Sequence, residues 1–222
     1  MKKYAVIAAA GSGSRMATAI PKQFLLLAGK PVLWYTLKTF LEAFDDLQII
    51  LVLQEEYIQT GEKIIQSTDS PDRVKIIAGA QTRFHSVKNG LSLVPEESIV
   101  FVHDGVRCLV SRDIIHRCYK MAMEKGNAIP AITSTDSIRI IEKENSRIID
   151  RNKVKLIQTP QTFNSTILKS AFEQEYEDAF TDEASVVEKK GIKINLVEGE
   201  ETNIKITRSF DILIAEKILL GS

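Results

Sequence analysis

Short apolar runs alternate along the chain with longer stretches whose apolar residues recur at helical spacing. Lys3–Ala8 and Leu47–Leu53 read as buried strands, and Val74–Ile77, Ser98–Val102 and Asn127–Ile132 as further strands. Between them Val32–Phe44 carries Leu33, Tyr35, Leu37 and Phe40 on a helical period, and Glu55–Gln66, Thr82–Leu93 and Ser111–Lys125 read as helices. Ser111 is placed to cap the last of these, with Asp113 in its first turn. This β-α-β-α rhythm predicts an α/β fold with a mostly parallel sheet flanked by helices on both faces. Ligands of such sheets bind outside the carboxyl ends of the strands, so the loops after Ala8, Ile77 and Val102 matter most.

Thr135–Leu156 breaks the rhythm. Ser137–Ile141 and Arg147–Asp150 are two β-like runs around Glu142–Ser146, which predicts a hairpin. Its isoleucines would be a liability on a monomer, so the arm is expected to pack on a partner subunit. A hairpin folded back on its own domain is the alternative. Helices resume at Ser165–Gln174 and Asp182–Lys189, a strand follows at Ile192–Val197, and the last helix is Asp211–Leu220. No repeat, low-complexity tract or linker interrupts the chain, which reads as one domain over residues 1–222 with 135–156 as a dimerisation arm.

Composition narrows the ligands. The 222 residues suffice for one large core, and 44 % hydrophobic with 26 % charged residues is ordinary for a globular protein. Lys and Arg number 29, as do Asp and Glu, and no basic stripe stands out, which argues against a nucleic-acid partner. Phosphates must then be met by a few placed cations. Cys108 and Cys118 form no CxxC pair, and His85, His103 and His116 lack zinc-ligand spacing. A disulfide framework is not expected, and a reducing cytosol fits. Met1-Lys2-Lys3 followed by Tyr4–Ala10 resembles a minimal signal peptide. The apolar run is short, however, and passes directly into Gly11-Ser12-Gly13-Ser14-Arg15, so a buried first strand is the preferred reading. No run approaches the ~20 apolar residues of a membrane span.

Four motifs carry candidate chemistry. Ala9-Ala10-Gly11-Ser12-Gly13-Ser14-Arg15-Met16, followed by Pro21-Lys22-Gln23, places glycines and two cations after the first strand, where backbone N–H groups can cradle phosphate. It is neither a P-loop nor the dinucleotide fingerprint, since Met16 stands where the third glycine would be. A glycine turn with two solvated cations is the plain alternative. Val102-His103-Asp104-Gly105-Val106-Arg107 puts a carboxylate at the ligand edge, a hard donor suited to Mg²⁺, beside an arginine that can grip phosphate. A structural turn with a local ion pair would use the same residues. Gly79-Ala80-Gln81-Thr82-Arg83-Phe84-His85-Ser86 offers backbone groups for a base edge and Thr82 as a helix cap, while His85 has no visible catalytic partner. In Asn203-Ile204-Lys205-Ile206-Thr207 a lysine inside an apolar run is expensive unless it faces a ligand or an exposed side.

Together these residues resemble the 2-C-methyl-D-erythritol 4-phosphate cytidylyltransferases of the non-mevalonate isoprenoid pathway, from about Val6 to Leu219. The elements are Ala-Ala-Gly-x-Gly-x-Arg-Met, Pro-Lys-Gln, Arg83-x-x-Ser86-Val87 before Asn89-Gly90-Leu91, His103-Asp104, Asp150-Arg151, Thr159-Pro160-Gln161, Thr181-Asp182-Glu183-Ala184 and Asn203-Ile204-Lys205. The resemblance implies a Rossmann-like homodimer in which the arm of one subunit reaches the other's site. It implies that Arg15, Lys22 and Lys205 act on the CTP phosphates. Ala9, Ala10, Gly11, Gly13, Ala80, Gln81, Ser86 and Gly105 would hold the rest of CTP, and Asp104 would bind Mg²⁺. Asp104, Arg107, Thr159, Thr181 and Lys205 would line the polyol phosphate side, with Ser137 and Arg151 supplied by the partner's arm. Departures are Ser137 for Thr, Ala80 for Gly, Cys108 for Pro, and Thr202 where some members carry a second acidic residue. Cys108 is either a small packing substitution or an oxidisable thiol at the site.

The implied reaction is in-line attack of a phosphate monoester on the α-phosphorus of CTP, which needs no general base because the monoester is already largely dianionic. A ribitol 5-phosphate cytidylyltransferase would share this chemistry; Ala-Ala-Gly and Arg83-x-x-Ser86-Val87 favour erythritol. A hexose 1-phosphate nucleotidyltransferase is disfavoured by the short Arg15-to-Lys22 spacing. A non-catalytic nucleotide binder is the reading of another class.

Overall fold

A computed structural model of the chain describes residues 1–11 and 20–221. In chain order its elements are β1 (Lys3–Ala8), β2 (Leu26–Leu27), β3 (Lys30–Pro31), α1 (Val32–Ala43), β4 (Leu47–Leu53), α2 (Ile58–Gln66), β5 (Val74–Ala78), α3 (Arg83–Leu91), β6 (Ile99–Asp104) and α4 (Arg112–Lys125). They continue with β7 (Asn127–Thr133), β8 (Ile138–Glu142), β9 (Asn145–Ile149), β10 (Lys155–Ile157), β11 (Gln161–Asn164), α5 (Ser165–Ala171), α6 (Glu183–Lys189), β12 (Leu196–Glu198) and α7 (Ser209–Leu220).

Among the described residues the main sheet runs β10-β7-β11-β6-β1-β4-β5, with β12 on β7. β5, β4, β1 and β6 are parallel. β11 then lies antiparallel between β6 and β7, so the sheet is mixed but mostly parallel. Strand alternation divides the core by face. Ala5, Ile7, Leu51 and Phe101 pack with Leu37 and Phe40 of α1 and Ile114 of α4. Val6, Val52 and Val102 pack with Phe84 and Val87 of α3 and Leu168 of α5 on the other face. Central strands buried on both faces are continuous apolar runs, and that is the pattern expected of a parallel sheet.

β11 escapes the sequence reading because Gln161 and Thr162 are polar yet buried. Gln161 survives there because its side chain bonds Asp182 and the Ala184 N–H. The strand expected over Ile192–Val197 shrinks to β12. The Asn127 side chain donates to the Lys193 carbonyl at 2.9 Å and accepts from the Asn195 N–H at 2.8 Å, taking over backbone groups that a ladder would have used.

The predicted arm is present. β8 and β9 pair only with each other among the described residues, and Ile141 and Ile148 are 72 % and 68 % exposed. Ile141 and Ile148 therefore stand clear of their own domain, while Ile138, Ile140 and Ile149 are half-buried. Among the described residues no helix is long and apolar enough to cross a membrane.

A third cluster joins Leu27, Val32, Val106, Cys108, Ile206 and Ala215 beneath the C-terminal segment. Cys108 is buried here as a small packing residue, and burial pushes its thiol up to about 12. Burial also raises the Cys118 thiol to about 12. Neither presents a thiolate at neutral pH. A disulfide-exchange reagent at pH 8 is expected to find no fast-reacting thiol in the native protein and both after unfolding. A fast native thiol would show that Cys108 or Cys118 is open to solvent.

Candidate functional site

The parallel strands end on one edge, and there a cleft of about 600 Å³ opens. Its walls come from Ala8–Gly11 after β1, Lys22 and Gln23, Ala80–Arg83 after β5, Ser86 of α3, Asp104 of β6, and Lys205. Two buried side chains shape these walls. Gln23, 2 % exposed, donates from Nε2 to the Ala9 carbonyl at 2.7 Å and so ties the segment bearing Lys22 to the turn after β1. Ser86 Oγ accepts the Ala80 N–H at 2.9 Å and donates to the Ala80 carbonyl, folding that loop onto α3. Thr82 caps α3 through the His85 N–H, and its hydroxyl lies 2.8 Å from His85 Nδ1. Gly79 is required by space, since a Cβ there would sit 2.5 Å from Ala10 Cβ.

Asp104 occupies the back of the cleft among three cations. Lys205 Nζ lies 2.9 Å from Oδ2, Arg107 Nε 3.5 Å from the same oxygen, and Arg83 Nη2 3.4 Å from Oδ1. Burial alone would raise the Asp104 carboxyl, but the cations, Arg83 foremost, outweigh it and hold the group well below the usual carboxylate range. Arg83 is itself gripped by Glu183, 1 % exposed at the start of α6, with Nη2 3.0 Å from Oε2 and Nη1 bonded to Oε1. Burial works against the Arg83 charge; Glu183 and then Asp104 overcome that and keep the guanidinium protonated.

Beneath Asp104 lies a directed chain of hydrogen bonds. The Arg107 carbonyl, 3.1 Å from His103 Nε2, can only accept, so that nitrogen carries the hydrogen. Nδ1 then accepts from the Thr159 hydroxyl at 2.9 Å, and Thr159 Oγ1 accepts the Asp104 N–H at 3.1 Å. His103 is fully buried, and burial lowers its pKa to about 3.

The structure brings together Ala9, Ala10, Gly11, Lys22, Ala80, Gln81, Ser86, Asp104 and Lys205 on one cleft. Gly13 and Arg15 lie outside the described residues. Gly105 is not among the residues lining the cleft; its N–H bonds the Ala8 carbonyl and its carbonyl accepts from Thr36. Arg107 and Thr159 sit behind the cleft wall. Arg107 donates to the Asn203 carbonyl at 2.8 Å, and the Thr159 hydroxyl is taken by Asp104 and His103. Ser137, Arg151 and Thr181 are exposed and do not line this cleft. Arg151 donates to the Thr135 carbonyl and lines a separate cavity of about 800 Å³ at the base of the arm, with Lys155 and Glu198. Thr202 is exposed and is not a cleft residue. Arg83, Glu183 and Gln23 had stood only as motif letters. Glu183 stands in the first turn of α6, and only the fold brings Arg83 to it.

The model of the family "2-C-methyl-D-erythritol 4-phosphate cytidylyltransferase" (IspD) matches residues 4–221. The protein of that name from Phocaeicola vulgatus is 45 % identical over 219 residues, covering 99 % of this chain and all of that one. Its namesake from Bacteroides fragilis is 44 % identical over the same coverage. The crystal structure of 4-diphosphocytidyl-2C-methyl-D-erythritol synthase from Anaerococcus prevotii superposes with a TM-score of 0.85 at 29 % identity, over 99 % of this chain and 96 % of that one.

The acid response of the fold follows from His103 and Asp104. An unfolded histidine takes up a proton near 6.5, while His103 in the fold resists until about 3. Its native pKa is depressed, so the unfolded chain binds more protons and stability falls as pH drops from about 6.5 towards 3, by up to ~1.4 kcal/mol per pH unit. The share due to ionised Asp104 is lost lower, as pH falls below about 4. Urea midpoints at pH 7 and pH 5 are expected to differ in this direction, and less so in His103→Gln. An equal shift in both proteins would remove His103 as the cause.

Proposed function

The chain belongs to the 2-C-methyl-D-erythritol 4-phosphate cytidylyltransferase family, and on that premise we propose that it transfers CMP from CTP to 2-C-methyl-D-erythritol 4-phosphate with release of pyrophosphate. The observation that carries this reading is the cleft itself, where Lys22 and Lys205 face a glycine-bearing turn beside an ionised Asp104. In the reaction a phosphate oxygen of the acceptor bonds to the α-phosphorus and the bond from that phosphorus to the pyrophosphate oxygen breaks. The acceptor monoester, with a second pKa of about 6, is its own nucleophile, so no proton need be removed. The neutral, internally bonded His103 fits a site without a general base. Lys22 and Lys205 stabilise charge at the α-phosphate, Arg15 does so on the leaving pyrophosphate, and the backbone around Ala80 and Gln81 holds the base.

Asp104 is the carboxylate that lines the cleft among the described residues, and its oxygens suit Mg²⁺. The cations around it, Arg83, Arg107 and Lys205, disfavour a bare dication, so the residues fit a metal that arrives with the triphosphate. When bound, Mg²⁺ would neutralise phosphate charge beside Asp104.

The active unit in this proposal is a homodimer. Ser137 and Arg151 stand away from their own cleft on an arm with uncovered isoleucines, which supports their serving the partner's acceptor site, with Thr181 contributing from its own chain. Two unpaired, buried thiols suit a reducing compartment, and we place the protein in the cytoplasm.

Pyrophosphate release from CTP and Mg²⁺ should require 2-C-methyl-D-erythritol 4-phosphate, with D-ribitol 5-phosphate inactive. Release with ribitol phosphate alone would reassign the acceptor, and silence with both despite CTP binding would favour a non-catalytic protein. Lys22→Ala should lower kcat by roughly 10²–10³-fold, by analogy with loss of one preorganised donor; near-normal turnover would refute its role. The double variant Ile141→Lys, Ile148→Lys should sediment as a monomer with little activity. An intact, active dimer would move the interface elsewhere.

A further inference from the structure

Asp104 stands at the end of a central strand, whereas its partner Lys205 stands on residues 199–207, which belong to no helix or strand. A side chain that must meet the α-phosphate is thus carried by irregular backbone, and something else must fix it.

Near Lys205 the Asn203 carbonyl accepts from Arg107 at 2.8 Å and the Ile206 N–H donates to the Val106 carbonyl at 3.0 Å, and at the start of the segment a further set of fixing groups meets on Glu200. Gln158, 4 % exposed, donates from Nε2 to the Glu200 carbonyl at 2.8 Å and accepts the Glu200 N–H on Oε1 at 3.1 Å. One amide side chain thus satisfies both backbone groups of a single residue, as a neighbouring strand would. Gln158 is itself anchored, since its N–H donates to the Pro130 carbonyl of β7 at 2.8 Å. The fit is close: a Cβ on Gly199 would lie 2.5 Å from Gln158 Oε1 and 3.1 Å from the Ala131 backbone. From Glu200 a turn closes through the Asn203 N–H at 3.0 Å, Asn203 donates to the Thr159 carbonyl at 2.9 Å, and Lys205 follows. The other hold on Glu200, from Arg117 and Ser111, grips its side chain, and Arg117 is 41 % exposed.

Resting on the cytidylyltransferase reading above, we infer that Gln158 is a positioning residue for Lys205: its two-point grip on the Glu200 backbone, admitted by Gly199, sets where the lysine ammonium stands. Gln158 touches neither nucleotide nor acceptor and acts only through the strap it holds.

Two measurements test this. In Gln158→Met, amide hydrogen exchange across residues 200–206 should accelerate while β1, β4 and β6 keep wild-type protection. Gly199→Ala should do the same by crowding the amide. Unchanged exchange across the strap in Gln158→Met overturns the clamp, whatever the enzyme's activity. In turnover, Gln158→Met should lower kcat roughly 10- to 100-fold, the scale of a small misplacement, with KM for CTP little changed. The same substitution in a Lys205→Ala background should cost nothing further, because the group it positions is gone. An equal fall in both backgrounds would show a general structural role and overturn the proposal. Wild-type protein silent with CTP and acceptor would sink the reaction instead, and the exchange result would still judge the grip.

Discussion

The buried carboxylate of Asp104 is the constraint around which the rest of the site is arranged. Arg83, Arg107 and Lys205 come from three separate stretches of chain, and like charges at such separations repel strongly in a poorly solvated setting. Asp104 is the group that lets them share one wall. With Glu183 behind Arg83, three cations face two carboxylates, and the formal balance is one positive charge. That residue of charge points into a cleft built for a polyanion, and it is local, since the whole chain is neutral.

The roles of these cations differ with their exposure. Arg83 is bound by both oxygens of Glu183, and Arg107 is tied to the Asn203 carbonyl at 2.8 Å and reaches the Ile157 carbonyl at 3.5 Å. Lys205 is 42 % exposed, and Asp104 is the partner it faces, so it can exchange that contact for a ligand oxygen at little cost. The Thr159–His103 chain holds Asp104 by its amide from behind, leaving the carboxylate free to respond to whatever enters in front.

How much of this was legible in the sequence follows from what each residue's neighbours are. β1 and β4 were read to the residue because strands buried on both faces are apolar runs, broken here only by the half-buried Lys3 and Gln48. The Ser111 cap was likewise visible, because a capping hydroxyl acts on the backbone three residues away. β11 was invisible: Gln161 is buried by virtue of partners more than twenty residues distant, the polar Thr162 is buried beside it, and polarity read locally says surface. The same reason hid Gln158 and Glu183. The loops after β1, β5 and β6 were legible as the ligand edge because topology alone puts them there. Gly105 lies at that same edge, with its backbone groups bonded to Ala8 and Thr36.

One feature of the sheet bears on how such a protein can change. The arm leaves after β7 and returns into β10, and those strands pair antiparallel, Thr133 opposite Lys155. Exit and entry are therefore stapled side by side before the excursion begins. Whatever lies between them is a closed loop whose ends are already joined, so lengthening, shortening or replacing it puts no tension on the strands that carry Asp104. The arm is in this sense a graft. It is open to wholesale exchange between relatives, or to an engineer's insertion, while the nucleotide cleft stays as it is.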